Sequence, residues 1–249
     1  MAMVVLSLLV PPLLAIYVLV VLLALDMDKS YAQYALVLPI SYVLGSIPWG
    51  YLMTLVVKGV DIRQYGSGKT GMSNVLRTAG GPLASLVLIL DLSKGLLAVF
   101  LARAVADSAI TEVAAGLIAL AGHNWSLFLR FKGGRGIATG LGALLGMEPI
   151  AGAIAVASFI PVTLLSRYLS LGSMTAVVVA FLSTLVMAFL DQSSTMYLLY
   201  TGIGGAMIIW QHRDNIQRLL RGKERRVGQP SERTGEASST SNQGLRQRG

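Results

Sequence analysis

The sequence predicts an all-α polytopic membrane protein, and three observations lead to this fold class. Hydrophobic residues make up 54% of the 249 residues and charged residues 13%, which is about half the charged share of a soluble domain. Mean hydropathy is +0.68. Apolar runs long enough to span a bilayer, about 20 residues each, recur along the whole chain. The absence of cysteine excludes disulfides, thiolate metal sites and a thioester intermediate on the protein.

The apolar runs predict eight helices, near residues 3–25, 35–57, 83–106, 109–129, 136–147, 149–166, 171–190 and 195–211. The first run has neither the basic flank nor the small-residue cleavage site of a signal peptide, so a retained helix is favoured over a cleaved leader. The fifth and sixth runs separate at Glu148 and Pro149, because proline disfavours helical conformation at the residue before it.

The distribution of charge supports the count of eight helices. Basic residues follow the second, fourth, sixth and eighth runs, and six of the twelve acidic residues belong to the alternate loops. Eight helices place all the basic loops on one side, which the positive-inside rule makes cytoplasmic, whereas seven would leave the basic C-terminal segment outside. The net charge of +8 therefore indicates topology and contact with anionic lipid, and no nucleic acid is expected as a partner.

Three regions follow from this pattern. Residues 1–34 form an extra N-terminal transmembrane helix and an outer loop, and residues 35–227 form the membrane domain. Residues 228–249 are predicted to be a disordered cytoplasmic tail, because they contain too few apolar residues to offset the chain entropy of folding.

The first polar segment, residues 61–77, interleaves glycines with hydroxyls and cations on the predicted cytoplasmic side. Backbone N–H groups, hydroxyls and cations together are typical of a phosphate site. A Walker A loop is excluded, because Arg63 stands where its first glycine is required and a membrane helix precedes the segment. A flexible loop that is basic only for topological reasons is the alternative.

The second and third polar segments lie on the same predicted side. In residues 122–140, a glycine-rich basic turn opens a helix, and such a turn directs free N–H groups toward an anion. His123 in this segment either has a functional role or packs by a hydrogen bond. In the third segment, His212 and Asn215 are three residues apart and so share a helix face. Within the third predicted helix, Asp91 and Lys94 have a spacing that favours a structural ion pair over a direct catalytic role.

At these segments the chain resembles the bacterial membrane glycerol-3-phosphate acyltransferases that use acyl phosphate as donor. The first motif, Gly-Ser-Gly-x-x-Gly-x-x-Asn-x-x-Arg, is met by Gly66, Ser67, Gly68, Gly71, Asn74 and Arg77. The second, Gly-His followed by Phe-x-Gly-Gly-Lys-Gly, is met by Gly122, His123, Phe131, Gly133, Gly134 and Gly136, with Arg135 in place of the lysine. The third, His-x-x-Asn-Ile-x-Arg-Leu-x-x-Gly-x-Glu, is met by His212, Asn215, Ile216, Arg218, Leu219, Gly222 and Glu224. Lys69 stands where the family often has asparagine.

The resemblance implies a seven-helix acyltransferase core to which residues 3–25 add one helix. It implies that a fatty acyl group passes from acyl phosphate to the 1-hydroxyl of sn-glycerol 3-phosphate, at the cytoplasmic face of the bacterial inner membrane. No cofactor or metal is required, and a soluble enzyme would supply the acyl phosphate. The resemblance makes His212, Asn215 and Ser67 catalytic. It assigns substrate and phosphate binding to Ser67, Gly68, Asn74, Arg77, Lys132, Gly133, Gly134, Arg135 and Gly136.

A transporter for an organic phosphate is the competing interpretation. A transporter is expected to place charge near the membrane midplane, on broken helices of related halves. The polar segments cluster at one face instead, which favours an enzyme that takes one substrate from water and the other from lipid.

Overall fold

The computed structural model describes residue 17, residues 29–229 and residue 233, and it confirms the all-α membrane fold. We number the principal helices α1 Lys29–Ser46, α2 Trp49–Lys58, α3 Met72–Ala79, α4 Gly81–Ala106, α5 Ala109–Asn124, α6 Ile137–Met147, α7 Pro149–Ser166, α8 Leu169–Phe189, α9 residues 197–211 and α10 Arg213–Leu220. α9 contains a π-helical turn, Tyr200–Gly204. The predicted helix 3–25 lies outside the described residues, apart from Tyr17.

Four of the described helical segments are long and apolar enough to cross a membrane: Tyr31–Lys58, Gly81–Ala106, Pro149–Ser166 and Leu169–Phe189. α5, α6 and α9 are the shorter members of the predicted seven-helix core. The turn predicted at Glu148 is present, because α6 ends at Met147 and α7 begins at Pro149.

The helix predicted at 35–57 is broken into α1 and α2 at Ile47 and Pro48. Proline has no N–H and disfavours helix at the preceding residue, so carbonyl groups near the break lose their helical partners. Two side chains from other elements bind them: Ser126 Oγ donates to Ser46 O at 2.5 Å, and Lys94 Nζ donates to Ile47 O at 2.9 Å. These two hydrogen bonds stabilise the break, because the carbonyl oxygens of Ser46 and Ile47 would otherwise be unpaired in apolar surroundings.

Close packing of α4 against α6 holds the centre of the bundle together. A Cβ on Gly95 would lie 2.0 Å from Thr139 O, and a Cβ on Gly142 would lie 1.9 Å from Leu92 O. Only glycine permits backbones to approach this closely, as small residues do at membrane helix interfaces generally. The contact places the middle of α4 beside the first turns of α6.

At the opposite end of α4 from the polar segments, a charged cluster joins four helices. Arg103 binds Glu112 with two hydrogen bonds, Nε to Oε1 at 2.8 Å and Nη2 to Oε2 at 2.9 Å. Arg103 Nη2 also donates to Gly146 O, and the Tyr197 hydroxyl donates to Glu112 Oε2, both at 2.9 Å. α4, α5, α6 and α9 are therefore fixed to one another at this end.

Candidate active site

A cavity of about 320 Å3 lies between α3, α4, α6, α7, α8 and α9. One end is cationic and is lined by Lys69, Arg77 and Arg135. The remainder is mostly apolar, with Leu88, Leu144, Val156, Phe159, Val177 and Ile208 among its lining residues. We call this space the first cavity. It joins a region suited to anions to a region suited to a hydrocarbon chain.

The predicted site residues are divided between two cavities. Asn74, Arg77, Arg135, Gly136, His212 and Asn215 line the first cavity. Ser67, Gly68, Lys132 and Gly133 line a second cavity of about 310 Å3. Lys69 lines both cavities. Gly134, the remaining predicted site residue, lines neither cavity. The sequence predicted one site with catalytic and phosphate-binding residues together, and it contained no signal for this division.

Asn74 organises the loop of the first motif. Its side-chain amide donates to Tyr65 O at 2.9 Å, to Lys69 O at 3.0 Å and to Ile62 O at 3.2 Å. Its Oδ1 accepts from Ser67 N at 3.3 Å. These bonds close the glycine-rich loop on itself and account for the buried position of Asn74, which acts on the site by shaping the loop.

Arg77 and Arg135 direct two guanidinium groups at the first cavity, and the Nε of each is buried without a hydrogen-bond partner among the described residues. Burial lowers the pKa of Arg77; nearby Arg225 and Arg218 lower it further, and Glu224 opposes the shift. The pKa of Arg135 is lowered to about 10, mainly by burial and then by Arg218. Both groups remain charged at neutral pH, and both would be stabilised by a bound anion.

Gly133 and Gly134 shape the end of α5. Gly133 N donates to Asn124 O and Gly134 N donates to His123 O, each at 3.1 Å. These bonds end α5 at Asn124, five residues before the predicted end at residue 129. Because both N–H groups are engaged, the structure gives no support to the prediction that they bind phosphate.

His123 belongs to a buried cluster, two of whose members, His123 and Asp91, line the first cavity. Its Nδ1 lies 3.2 Å from Thr139 Oγ1 and 3.6 Å from Asp91 Oδ1. Asp91 in turn pairs with Lys94 Nζ at 2.9 Å, as the i, i+3 spacing predicted. A Cβ on Gly134 would lie 2.1 Å from His123 Nε2, so the glycine lets the loop pack directly on the imidazole. Packing by hydrogen bonds is therefore the role that these contacts favour for His123.

His212, between α9 and α10, has one ring nitrogen that can accept a hydrogen bond. Its Nδ1 lies 2.8 Å from Ile208 O. Since a carbonyl oxygen only accepts, the proton is on Nδ1 and Nε2 carries the lone pair. Burial lowers the pKa of His212 to about 4. At neutral pH the ring is uncharged and can accept a hydrogen bond.

Glu224 fixes the orientation of Asn215. The carboxylate accepts from Asn215 Nδ2 at 2.7 Å, from Arg218 Nε at 2.8 Å and from Ser170 Oγ at 2.9 Å. Because a carboxylate offers no donor, the amide nitrogen of Asn215 must face it. Asn215 Oδ1 is then left buried without a partner among the described residues. Ser170 was missed by sequence reasoning, since it lies in an apolar helix and outside any motif.

Residues after α10 cross the loops at this end of the bundle. Arg225 Nη2 donates to Gly66 O at 3.2 Å, and Val227 N donates to Arg167 O at 2.8 Å. Arg233, in the predicted tail, forms an antiparallel bridge with Tyr65. At the start of this segment, Glu224 lines the first cavity. Among the described residues, no group of three or more potential metal-ligating acidic or histidine side chains occurs.

Comparison with known proteins gives consistent matches over most of the chain. Residues 35–222 match the model of the family described as glycerol-3-phosphate acyltransferase. Glycerol-3-phosphate acyltransferase 3 of Dehalococcoides mccartyi is 43% identical over 212 residues, which cover 80% of this chain and 98% of that protein. Glycerol-3-phosphate acyltransferase of Synechococcus sp. is 44% identical over 194 residues, covering 78% and 95%.

Two solved structures have the same fold. They are crystal structures of PlsY, an integral membrane glycerol 3-phosphate acyltransferase, in its glycerol 3-phosphate form and in its lysophosphatidic acid form. Both are 36% identical in sequence to this chain and cover 78% of it, with TM-scores of 0.72 and 0.70; the matches cover 96% and 95% of those chains.

Proposed function

Since the chain belongs to the glycerol-3-phosphate acyltransferase family, we propose that it transfers a fatty acyl group from acyl phosphate to the 1-hydroxyl of sn-glycerol 3-phosphate. The products are lysophosphatidic acid and phosphate, and the reaction is the first step of phospholipid synthesis. The site faces the cytoplasm from the bacterial inner membrane, where a water-soluble acceptor and a lipid-soluble donor meet. A soluble enzyme supplies the acyl phosphate.

The observation that carries this proposal is the continuity of the first cavity from Arg77 and Arg135 to an apolar space between helices. Both proposed substrates are phosphate anions, and one of them bears a long hydrocarbon chain. A single space with a cationic end and an apolar end suits such a pair. PlsY, a relative with the same fold, has been solved in glycerol 3-phosphate and lysophosphatidic acid forms, which supports these as substrate and product.

In the proposed reaction the glycerol 1-hydroxyl attacks the acyl carbonyl, the bond from the carbonyl carbon to the phosphate oxygen breaks, and phosphate leaves. The hydroxyl proton passes to a phosphate oxygen of the substrates themselves. An acyl phosphate is already activated, so positioning and charge neutralisation supply much of the acceleration. The chain contains no cysteine, and a direct transfer needs no covalent enzyme intermediate.

The side chains have complementary roles in this reaction. Arg77 and Arg135 hold phosphate through guanidinium groups whose Nε atoms have no hydrogen-bond partner in the described part of the chain. His212 Nε2 and Asn215 Oδ1 are acceptors at the same cavity, and they orient the attacking hydroxyl. Ser67, on the loop that Asn74 organises, contributes a hydroxyl at the boundary with the second cavity.

The experiment uses purified protein in lipid with sn-glycerol 3-phosphate and either palmitoyl phosphate or palmitoyl-CoA. We expect lysophosphatidic acid and released phosphate in equal amounts with palmitoyl phosphate alone. Product from the thioester would refute the assignment of the donor. No product from either donor, with folded protein, would refute the function and point to a transporter, which liposome uptake would detect.

A matched pair of variants tests the site. Arg77→Ala should abolish measurable turnover, because it removes a charged group that touches the proposed phosphate. Lys58→Ala removes a cation from the exposed end of α2, outside both cavities, and should leave turnover unchanged. Equal activity of the two variants would contradict the site assignment.

A further inference from the structure

Two exposed arginines meet where the turn between α7 and α8 lies against the segment that follows α10. Val227 N donates to Arg167 O at 2.8 Å, and Arg167 Nη2 donates to Val227 O at 3.4 Å. Arg226 Nε donates to the Tyr168 hydroxyl at 3.4 Å, and the guanidinium carbon of Arg226 lies 5.7 Å from the centre of the Tyr168 ring. We call Arg167, Tyr168 and Arg226 the arginine cluster.

The protein does not neutralise the charge of the arginine cluster. Neither Arg167 nor Arg226 forms an ion pair among the described residues. Glu224, the acidic residue closest to Arg226 in sequence, is buried and is paired with Arg218. A guanidinium has five N–H donors, and in the described ranges each of the two side chains makes only the one long hydrogen bond given above. Both arginines can therefore bind an anion.

The lipid-facing surface of α7 ends beside the arginine cluster. Leu164 and Leu165 are 72% and 87% exposed, and they lie in the last turn of Pro149–Ser166, a helix long and apolar enough to cross a membrane. Arg167 follows this helix directly, so it lies at the level where hydrocarbon gives way to lipid headgroups. Basic residues and tyrosine are both typical of that level. An anion bound by the cluster is therefore within reach of the headgroup region.

We propose that the arginine cluster is a binding site for the phosphate group of an anionic phospholipid, and its residues line neither cavity. The phosphate accepts charge-assisted hydrogen bonds from both guanidinium groups, while the acyl chains lie along Leu164 and Leu165. A zwitterionic phospholipid has the same phosphate but also a cation, which the two arginines repel. Inorganic phosphate has the acceptor oxygens but no chains to contact the leucines.

A lipid bound in this way would join the turn before α8 to the segment that contains Glu224. Glu224 lies two residues before Arg226, and it accepts a hydrogen bond from Ser170, in the first turn of α8, at 2.9 Å. A ligand that binds the folded state stabilises it. Phosphatidylglycerol should therefore raise the apparent Tm of the wild type more than that of a protein without the two arginines, and equal shifts would contradict the proposal.

Native mass spectrometry of the full-length protein in detergent resolves individual bound lipids and does not depend on turnover. The wild type would be titrated with dioleoylphosphatidylglycerol or with dioleoylphosphatidylcholine, which has the same chains and no net charge. We expect saturable binding of phosphatidylglycerol, about tenfold or more tighter than binding of phosphatidylcholine, because basic residues attract anionic headgroups. Equal affinities would refute the site. Displacement of the lipid by an equal concentration of inorganic phosphate would indicate a site for free phosphate and would also refute it.

Matched double variants locate the binding. Arg167→Gln/Arg226→Gln removes both cations of the cluster and should raise the dissociation constant for phosphatidylglycerol by about tenfold or more. Arg221→Gln/Lys223→Gln removes the same charge from exposed positions near the end of α10, and it should change the constant by less than about twofold, because salt screens exposed charges outside the site. Equal losses in the two variants would show general attraction to basic residues and no specific site. Size-exclusion chromatography establishes that both variants are folded.

The outcomes separate the arginine cluster from the catalytic site. Arg77→Ala should bind phosphatidylglycerol as tightly as the wild type, and loss of binding in this variant would place the lipid in the first cavity and overturn the proposal. If the lipid binds as described while no acyl transfer is detected, the lipid site stands and the proposed function fails. If acyl transfer is detected while Arg167→Gln/Arg226→Gln binds the lipid like the wild type, the proposed function stands and the lipid site does not exist.

Discussion

Replacement of Glu224 by glutamine tests whether the orientation of Asn215 controls turnover. The carboxylate accepts three hydrogen bonds, from Ser170, Asn215 and Arg218, at 2.9, 2.7 and 2.8 Å. Glutamine has the same length but only one acceptor oxygen, and its amide group would oppose at least one of these donors. The restraint that fixes the orientation of the Asn215 amide would then be lost.

The size of the effect follows from the hydrogen bonds removed. A hydrogen bond to a charged group contributes about 1.5–3 kcal/mol, and about 1.4 kcal/mol changes a rate tenfold. Loss of one such bond at Asn215 should lower kcat by about ten- to hundredfold. KM for glycerol 3-phosphate should change less, because Arg77 and Arg135 still hold the phosphate.

The assay is phosphate release from palmitoyl phosphate, with size-exclusion chromatography to establish that Glu224→Gln is folded. The matched control is Asp214→Asn, the same chemical change at an exposed position on α10 that lines neither cavity. A kcat within about twofold of wild type for folded Glu224→Gln would refute the reasoning on which this estimate depends. A large loss in Asp214→Asn would show that charge, rather than orientation, is the cause.

Three further predictions concern stability. Glu112→Gln should lower the apparent Tm in detergent by a few degrees, because it weakens the ion pair with Arg103. The effect is small because the Arg103 side chain is 41% exposed and the pair is partly screened by solvent. An unchanged Tm would show that this charged cluster does not stabilise the fold. Lys94→Met should destabilise the fold by about 3–5 kcal/mol, because it leaves Asp91 buried without its ion pair, and unfolding in denaturant measures the loss; a cost below about 1 kcal/mol would show that the pair is dispensable. The lowered pKa of His212 means that the unfolded state binds a proton more readily, so the stability of the wild type should fall as pH drops from 6.5 toward 4. The Tm of His212→Gln should fall less over the same pH range. Parallel curves of Tm against pH for the two proteins would contradict the lowered pKa.

Hydropathy was sufficient to locate most of the helices, because lipid imposes a length and an apolar composition on each span. It did not reveal the break at Pro48, since the carbonyls freed there are bound by Lys94 and Ser126, which are distant in sequence. It also extended α5 beyond Asn124, where an apolar run continues after the helix has been closed by the following loop.

The motifs predicted which residues meet at one end of the bundle but not how each one acts. Arg77, His212 and Asn215 reach the same cavity, as the three segments suggested. Gly133 was expected to bind phosphate, yet its N–H donates to Asn124 O. Such assignments depend on which backbone groups are already paired in three dimensions, and spacing along the chain does not determine that.

The position of Glu224 in the chain has a consequence for biogenesis. All the described membrane helices precede it, whereas Asn215 is held in place only once Glu224 contacts it. The membrane helices alone therefore do not position Asn215. A chain truncated after α10 retains every described membrane helix but lacks the carboxylate that orients Asn215, so insertion into the membrane and acquisition of activity are separable.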